Sequence, residues 1–326
     1  MDLTNRKKIA LLVVYYGAWP AWINYFLSSC MHNKACDFLI ISDTDPKQIK
    51  ISNVFFFPLS LSELSRLIRH KSGIPTEIKD PYKLCDFRPL YGIIFEDYLK
   101  DYLFWGYCDI DLILGDLTRF LSEDSITGYD IFFGYEQFAS GPFSLYRNVP
   151  EINCLYYKID GLMEALSNPE YQGLDENRKM PLLKISILLK VLILLRFLCK
   201  LINLDNIGSI RSIHELKFQY YWFFKKNAVR IPQDITEVVL KEAKKERIRI
   251  NSGHFILSDV YFNRIKLHNW EIRYTDGKLT ETSIHNKIAI FHFREIKNTP
   301  EFIIESALQN INRFCISSLG IRKCHE

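Results

Sequence analysis

No C-x-x-C pair occurs anywhere in the 326 residues, so the ligand spacing typical of zinc sites is missing. The eight cysteines stand apart, at 30, 36, 85, 108, 154, 199, 315 and 324. Residues 1–8 are polar and basic and run into a strand-like stretch without a small-residue cleavage site, which does not read as a signal peptide. The cysteines are therefore expected to be reduced thiols in a cytoplasmic protein. Excess charge of one sign is missing too: a formal net charge of +4 gives little support to a nucleic-acid partner. No internal repeat and no low-complexity linker breaks the chain. The most apolar stretch, residues 182–202, is interrupted by Lys184, Lys190, Arg196 and Lys200, which prevents an uninterrupted span of bilayer length.

What is present describes a folded chain. Hydrophobic residues make up 48% and charged residues 25%, ordinary values for a globular protein. The length allows one large domain or two small ones. With 23 Phe and 18 Tyr, the core is expected to be rich in packed rings. The charge run at residues 241–247 reads as a solvated helix face.

Short β-rich runs alternate with helical patterns. Residues 9–15 (IALLVVY) read as a buried strand, broken at Gly17, with Pro20 opening a helix that carries Trp22, Tyr25 and Phe26. Residues 37–42 (DFLIIS) form a second strand closed by the turn sequence Asp43-Thr44-Asp45-Pro46, and residues 54–57 a third. Ser60-x-x-Glu63 is a capping box ahead of Leu61, Leu64, Leu67 and Ile68 at helical spacing. Pro89 is expected to open a helix to about Leu99, followed by a strand over 103–108 and further strands at 131–133 and 143–146. This alternation predicts an α/β sandwich with a largely parallel sheet, whose ligands gather at the carboxyl ends of the strands. Further on, residues 151–166 read as helical, 270–274 and 278–282 as a hairpin around Asp276-Gly277, 288–293 as a late strand, and 300–318 as a closing helix.

The most informative stretch is residues 104–116, FWGYCDIDLILGD. Its aromatic strand ends in Asp109-Ile110-Asp111. Side chains two apart on a strand share a face, so both carboxylates are expected to address one spot. Two hard oxygen ligands suit Mg²⁺ or Mn²⁺, ions that commonly work by bridging to substrate phosphates. The arrangement points to an enzyme that handles a nucleoside diphosphate. Alternatives at this point are a pair of solvated turn carboxylates, or a phosphatase of the haloacid dehalogenase type. The second fits less well, because the motif lies a third of the way along the chain and Ile113 stands where that family has a small hydroxyl residue.

With Tyr15-Tyr16-Gly17-x-Trp19-Pro20, Ile41-Ser42-Asp43, residues 83–89 (KLCDFRP), Gly106-Tyr107-Cys108-Asp109-Ile110-Asp111 and Phe291-His292-Phe293 in this order, the chain resembles the bacterial glycosyltransferases of the GT-A fold. It is similar in particular to small transferases from O-antigen and capsule gene clusters. The resemblance implies a GT-A-like, Rossmann-type sandwich. Residues 1–150 would be the nucleotide-sugar-binding core, and 151–326 the acceptor-side and C-terminal α+β part of the same catalytic domain. It also implies roles. Tyr16, Gly17 and Asp43 would hold the nucleoside. Asp109 and Asp111 would hold the metal and the ribose–diphosphate region, with Asp111 the direct ligand, and His292 would complete the metal shell. Lys297 would meet the diphosphate, and Arg88 would lie near the phosphates or the donor sugar.

Each assignment has a plainer counterpart: for His292 a buried strand histidine bonded to a backbone carbonyl, for Arg88 a surface ion pair with Asp86 or Glu96. The acceptor hydroxyl needs a base, and the best match in the resemblance is residues 172–176 (QGLDE). Asp175 or Glu176 would be that base, or would orient a sugar; otherwise they are exposed loop carboxylates or a helix cap. Ser140-Gly141-Pro142 would place backbone near a sugar, or is a simple turn. Residues 182–202 are either a core helix with snorkelling cations or an interfacial helix resting on anionic lipid.

The expected activity is transfer of a sugar from a nucleotide-sugar, expected to be a UDP-sugar, to a glycan or lipid-linked acceptor. Mn²⁺ or Mg²⁺ would assist, in the cytoplasm and with peripheral contact to the inner membrane. A sugar-nucleotide-binding scaffold without turnover is the non-enzymatic alternative. A nucleotidyltransferase is a further one, although the Gly-rich, Lys-bearing loop it needs after the first strand is absent.

Overall fold

The computed structural model describes residues 7–46, 51–135, 141–175, 234–252, 256–264, 270–282, 287–305 and 311–324. The first strand, β1 (Lys7–Val14), has Ile9 to Val13 at most 2% exposed. A strand buried on both faces reads as an unbroken apolar run, the mark of a covered parallel sheet. β1 pairs in parallel with β2 (Cys36–Ser42), and β2 in parallel with β3 (Val54–Pro58). On its other edge β1 pairs in parallel with β4 (Tyr102–Cys108). Beyond β4 the direction reverses: β7 (Phe143–Arg147) runs antiparallel to β4 and to β6 (Ile131–Phe133). β8 (Ile250–Asn251) closes the edge in parallel with β6, giving the order β3-β2-β1-β4-β7-β6-β8 among the described residues. Gly106 lets β7 approach β4 this closely, since a Cβ there would lie 2.1 Å from the Ser144 carbonyl oxygen.

Two smaller sheets follow. β5 (Leu112–Leu114) pairs antiparallel with β13 (Ile290–His292), which runs parallel to β9 (Ile256–Ser258). The other sheet has the order β12 (Lys287–Ile288), β11 (Lys278–Glu281), β10 (Ile272–Thr275), β15 (Arg313–Ser317), β16 (Gly320–Arg322), β14 (Ile303–Ile304). The helix Ile23–Met31 serves two cores. Phe26, Leu27 and Cys30 pack on the main sheet, and Tyr25 packs with Phe314 and Phe291 of the C-terminal part. The result is the expected α/β sandwich: a largely parallel central sheet, flanking helices and a C-terminal α+β part.

The local chemistry read from the sequence is visible at several joints. Ser60 and Glu63 close a reciprocal capping box on the helix Leu61–Ser72, which ends in Gly73 at φ +70°. Asp276 and Gly277 have φ of 47° and 83°, the left-handed pair that a tight hairpin turn between β10 and β11 requires.

Three expectations are corrected. The closing helix over 300–318 does not form; β14 and β15 occupy its described part, because Phe314 and Ile316 are fully buried on β10. The helix read over 151–166 is three short pieces, Pro150–Asn153, Leu155–Lys158 and Leu162–Ser167, the last beginning after Gly161 at φ +75°. The helix expected from Pro89 starts earlier, as a 3₁₀ segment Pro81–Leu90, and continues as Tyr91–Ile94 and Glu96–Leu99. In addition Cys315 and Cys324 are joined in a disulfide, so they are not free thiols; Cys30, Cys36, Cys85, Cys108 and Cys154 are free. Among the described residues no helix is long and apolar enough to cross a membrane. Residues 182–202, Ser140 and Glu176 lie outside the described residues.

Candidate active site

The Asp109-Ile110-Asp111 segment is not an extension of β4. The strand ends at Cys108, and Ile110 and Asp111 form a turn into β5. Three neighbours pin its backbone. The Asp109 N–H donates to the Pro142 carbonyl at 2.8 Å, the Trp22 indole N–H donates to the Ile110 carbonyl at 3.0 Å, and the Phe293 N–H donates to the Asp111 carbonyl at 3.2 Å. A turn fixed on three sides presents its two carboxylates to different partners.

Asp111 is 6% exposed and His292 5%. The His292 Nε2 lies 3.2 Å from Asp111 Oδ2, and the Lys297 ammonium donates to the same oxygen. The other imidazole nitrogen, Nδ1, lies 3.0 Å from the Tyr135 hydroxyl. His292 therefore bonds to two side chains rather than to a backbone carbonyl. Burial opposes ionisation of Asp111, but His292 and Lys297 outweigh it and hold the carboxyl well below the usual carboxylate range. Lys297 lies 6.0 Å from the centre of the Trp22 ring. Its position follows from Asp259, a fully buried carboxylate that accepts the backbone N–H groups of Glu295 and Ile296 at 2.8 Å and of Arg294 at 3.2 Å.

Asp109 faces the other way along the chain's chemistry. It forms an ion pair with Arg88, whose second arm donates to Asp175 Oδ2 at 3.1 Å and to the Gly141 carbonyl at 3.3 Å. The guanidinium stacks 5.1 Å from the Tyr107 ring centre. Tyr171 donates to Asp175 Oδ1 at 2.7 Å. Arg88 is thus paired with neither Asp86 nor Glu96; Glu96 is taken by Lys71. A small cavity of about 40 Å³ opens beside this cluster, with Leu12, Val14, Cys85, Arg88, Tyr107 and Asp109 in its lining. Burial pushes the Cys85 thiol far up, which keeps it neutral.

The loops after β1 and β2 form a third group. Tyr16 is buried and its hydroxyl donates to the Leu59 carbonyl at 2.9 Å; Gly17 has φ +112°, a left-handed backbone that suits glycine. Burial pushes the Tyr16 phenol well up, with Asp43 and Glu63 adding to the effect. The Trp19 indole N–H donates to the Thr44 carbonyl at 2.9 Å, which ties the two loops together, and Asp43 itself is exposed.

Of the residues named from the sequence, the fold brings Asp111, His292 and Lys297 into contact, and likewise Asp109, Arg88 and Asp175. Tyr16, Gly17 and Asp43 stand on neighbouring strand-end loops. Sequence reasoning missed Tyr135, Tyr171 and Asp259. Tyr171 stands four residues before Asp175, the one local hint among them.

A family model described as a family of unknown function, DUF6625, matches residues 11–206. The chain belongs to that family. No curated protein matches this DUF6625 chain. Among solved structures it is similar to the apo-form glycosyltransferase GlyE of Streptococcus pneumoniae TIGR4, with a TM-score of 0.37 and 11% identity over 91% of this chain. It spans 57% of the length of that protein. It is also similar to the galactosyltransferase LgtC in complex with donor and acceptor sugar analogs (TM-score 0.37, 9% identity, 90% of this chain and 88% of that one). Mouse xyloside xylosyltransferase 1 in its apo form is a third (TM-score 0.36, 10% identity, 90% of this chain and 100% of that one).

Proposed function

We propose that the chain is a metal-dependent glycosyltransferase that moves a sugar from a nucleotide-sugar, expected to be a UDP-sugar, to a glycan or lipid-linked acceptor. The observation that carries this reading is the turn at 109–111. It links a carboxylate–imidazole–ammonium group on one side to a carboxylate–guanidinium–carboxylate group on the other. Departure of a nucleoside diphosphate builds negative charge. Fixed cations at a desolvated site stabilise such charge, and Lys297 and Arg88 are two cations held by neighbouring carboxylates.

The residues suit a divalent ion in a limited way. Among the described residues no three His, Cys, Asp or Glu side chains gather into a set able to hold one alone. Asp111 and His292 nevertheless meet at 3.2 Å, and the second imidazole nitrogen is engaged by Tyr135, the outer partner that orients a ligating histidine. A carboxylate and an imidazole with substrate phosphates and water completing the shell is a usual way to hold Mn²⁺ or Mg²⁺. Such an ion, when bound, would supply charge stabilisation at the diphosphate.

In this reading Asp111 and His292 are the metal ligands, with Asp109 beside them, and Lys297 and Arg88 serve the diphosphate and the donor sugar. Tyr16, Gly17 and Asp43 serve the nucleoside. Asp175, or Glu176 next to it, deprotonates the acceptor hydroxyl or orients a sugar. Residues 1–150 form the donor side and 151–326 the acceptor side of one catalytic domain, although His292 and Lys297 come from the second part. A role in bacterial surface polysaccharide synthesis at the cytoplasmic face of the inner membrane rests on the sequence resemblance.

The test is a panel of UDP-, GDP- and dTDP-sugars with and without Mn²⁺, read by thermal shift and slow donor hydrolysis. The expected result is stabilisation by one nucleotide with Mn²⁺, about 2.7 kcal/mol at a hundredfold excess over Kd, lost in Asp111→Ala. A chain indifferent to every nucleotide–metal pair would refute the reading.

A further inference from the structure

The KLCDFRP segment contains two charged residues that the proposed chemistry does not use, Lys83 and Asp86. They are the most thoroughly buried ion pair among the described residues, 1% and 0% exposed, at 2.8 Å. Their hydrogen bonding is complete. Asp86 Oδ2 accepts Lys83 and the Gln172 N–H at 2.7 Å, while Oδ1 accepts the Gly173 N–H at 2.7 Å and the Leu174 N–H at 2.8 Å. The Lys83 ammonium spends its other protons on the carbonyls of Ala165 at 2.7 Å and Glu170 at 3.0 Å.

Three successive N–H groups converging on one anion make a backbone nest. Gly173, at φ +82°, supplies the left-handed turn the nest needs. The residue that follows this nest is Asp175. Two residues beyond Asp86, on the same 3₁₀ segment, Arg88 grips the Asp175 side chain. One short segment therefore fixes both the backbone ahead of Asp175 and its carboxylate.

We propose that the Lys83–Asp86 pair is the positioning device for Asp175: it locks residues 172–174 so that the carboxylate is delivered to Arg88 beside Asp109. Lys83, Asp86 and Gly173 act through Asp175 and touch no reactant. This role rests on the glycosyltransferase reading in so far as Asp175 serves the reaction.

The experiment compares Asp86→Asn, Asp175→Asn and the double variant, with rates taken per folded molecule from circular dichroism. Slow hydrolysis of the UDP-sugar with Mn²⁺ should fall at least tenfold in kcat in Asp86→Asn, with the donor KM within about twofold, as expected when a group acting only in the transition state is displaced. In the Asp175→Asn background the same change should have no further effect, the signature of two residues acting as one unit. An equal fold-loss in both backgrounds would overturn the proposal, as would an unchanged kcat. If Asp86→Asn does not fold, Gly173→Ala retains the ion pair and disturbs only the nest; it should show the same dependence on Asp175, and its absence would overturn the proposal equally. A readout free of activity separates this from failure of the function itself. The guanidinium NMR signals of Arg88 should shift in Asp86→Asn as they do in Asp175→Asn, even if no donor is turned over; signals that stay at their wild-type positions would refute the positioning role.

Discussion

Replacing Arg88 with alanine removes a cation shared by Asp109 and Asp175. The Asp175 side chain is only 2% exposed and that of Arg88 13%. Taking away one partner of a buried pair costs about 3–5 kcal/mol, because the charge left behind has lost its counter-ion and cannot reach water. Asp109 is 30% exposed; it can rehydrate and adds little to that figure. An unfolding entropy of about 2.1 cal/mol/K per residue becomes about 0.7 kcal/mol/K for a chain of 326 residues, so the melting temperature should fall by roughly 4–7 °C. Arg88→Lys keeps a charge but not the fork that serves two carboxylates, and should lose about half as much. Adding Asp175→Ala to Arg88→Ala should then return part of the loss, since the stranded carboxylate is gone. Calorimetry or a fluorescence melt reads all of these. An Arg88→Ala protein that melts with the wild type would show that the guanidinium holds nothing, and the geometry argued for Asp175 would go with it.

A pH effect arises at Glu242, whose carboxyl is brought down to about 2 by its bond to Lys158, with Arg247 assisting. A carboxyl lowered on folding stabilises the fold above its unfolded value and loses that contribution as the pH falls through the folded value. Urea melts should therefore show the wild type losing stability between about pH 4.5 and about pH 2 more steeply than Glu242→Gln; parallel curves would contradict the assignment. The Cys315–Cys324 bond closes a short loop, with a sequence separation of 9. Loop entropy gives it about 3 kcal/mol, so reduction should lower the melting temperature by about 4 °C; a thiol count of eight in the unreduced, unfolded chain would show that the bond is absent.

What the sequence made legible was local. The capping box at Ser60, the hairpin at Asp276-Gly277 and the buried runs of β1, β2 and β4 each carry their reason within a few residues. The closing segment did not, because residues 313–317 become a strand only through β10 and β16 on either side, one of them forty residues earlier. The same limit applies in the site. The strand-end carboxylates point to Asp111 and the family order to His292 and Lys297, yet the Tyr135 contact to His292 spans 157 positions and leaves no trace in spacing. Strand periodicity predicts that Asp109 and Asp111 are alternate residues sharing a face. They lie in a turn, and their relation is set by Trp22, Pro142 and Phe293, none of them close in the chain.

Two fully buried aspartates explain how irregular segments carry charges to fixed places. Asp86 collects the N–H groups of 172–174 just ahead of Asp175, and Asp259 those of 294–296 just ahead of Lys297. A loop has no helix or ladder to absorb its backbone donors, and each donor buried without a partner costs about 1–3 kcal/mol. A single carboxylate meets three donors at once and, being charged, binds them more strongly than a neutral acceptor would. The cost is a buried negative charge, which Asp86 offsets with Lys83. Burial still pulls the lysine down and the aspartate up, so the pair persists because every polar atom of it is used. Preorganised charge is what separates an electrostatic site from a set of mobile surface residues. The energy that fixes Asp175 and Lys297 therefore resides in Asp86 and Asp259, residues with no place in the chemistry, and these are where substitutions should disturb the site without touching a reactant.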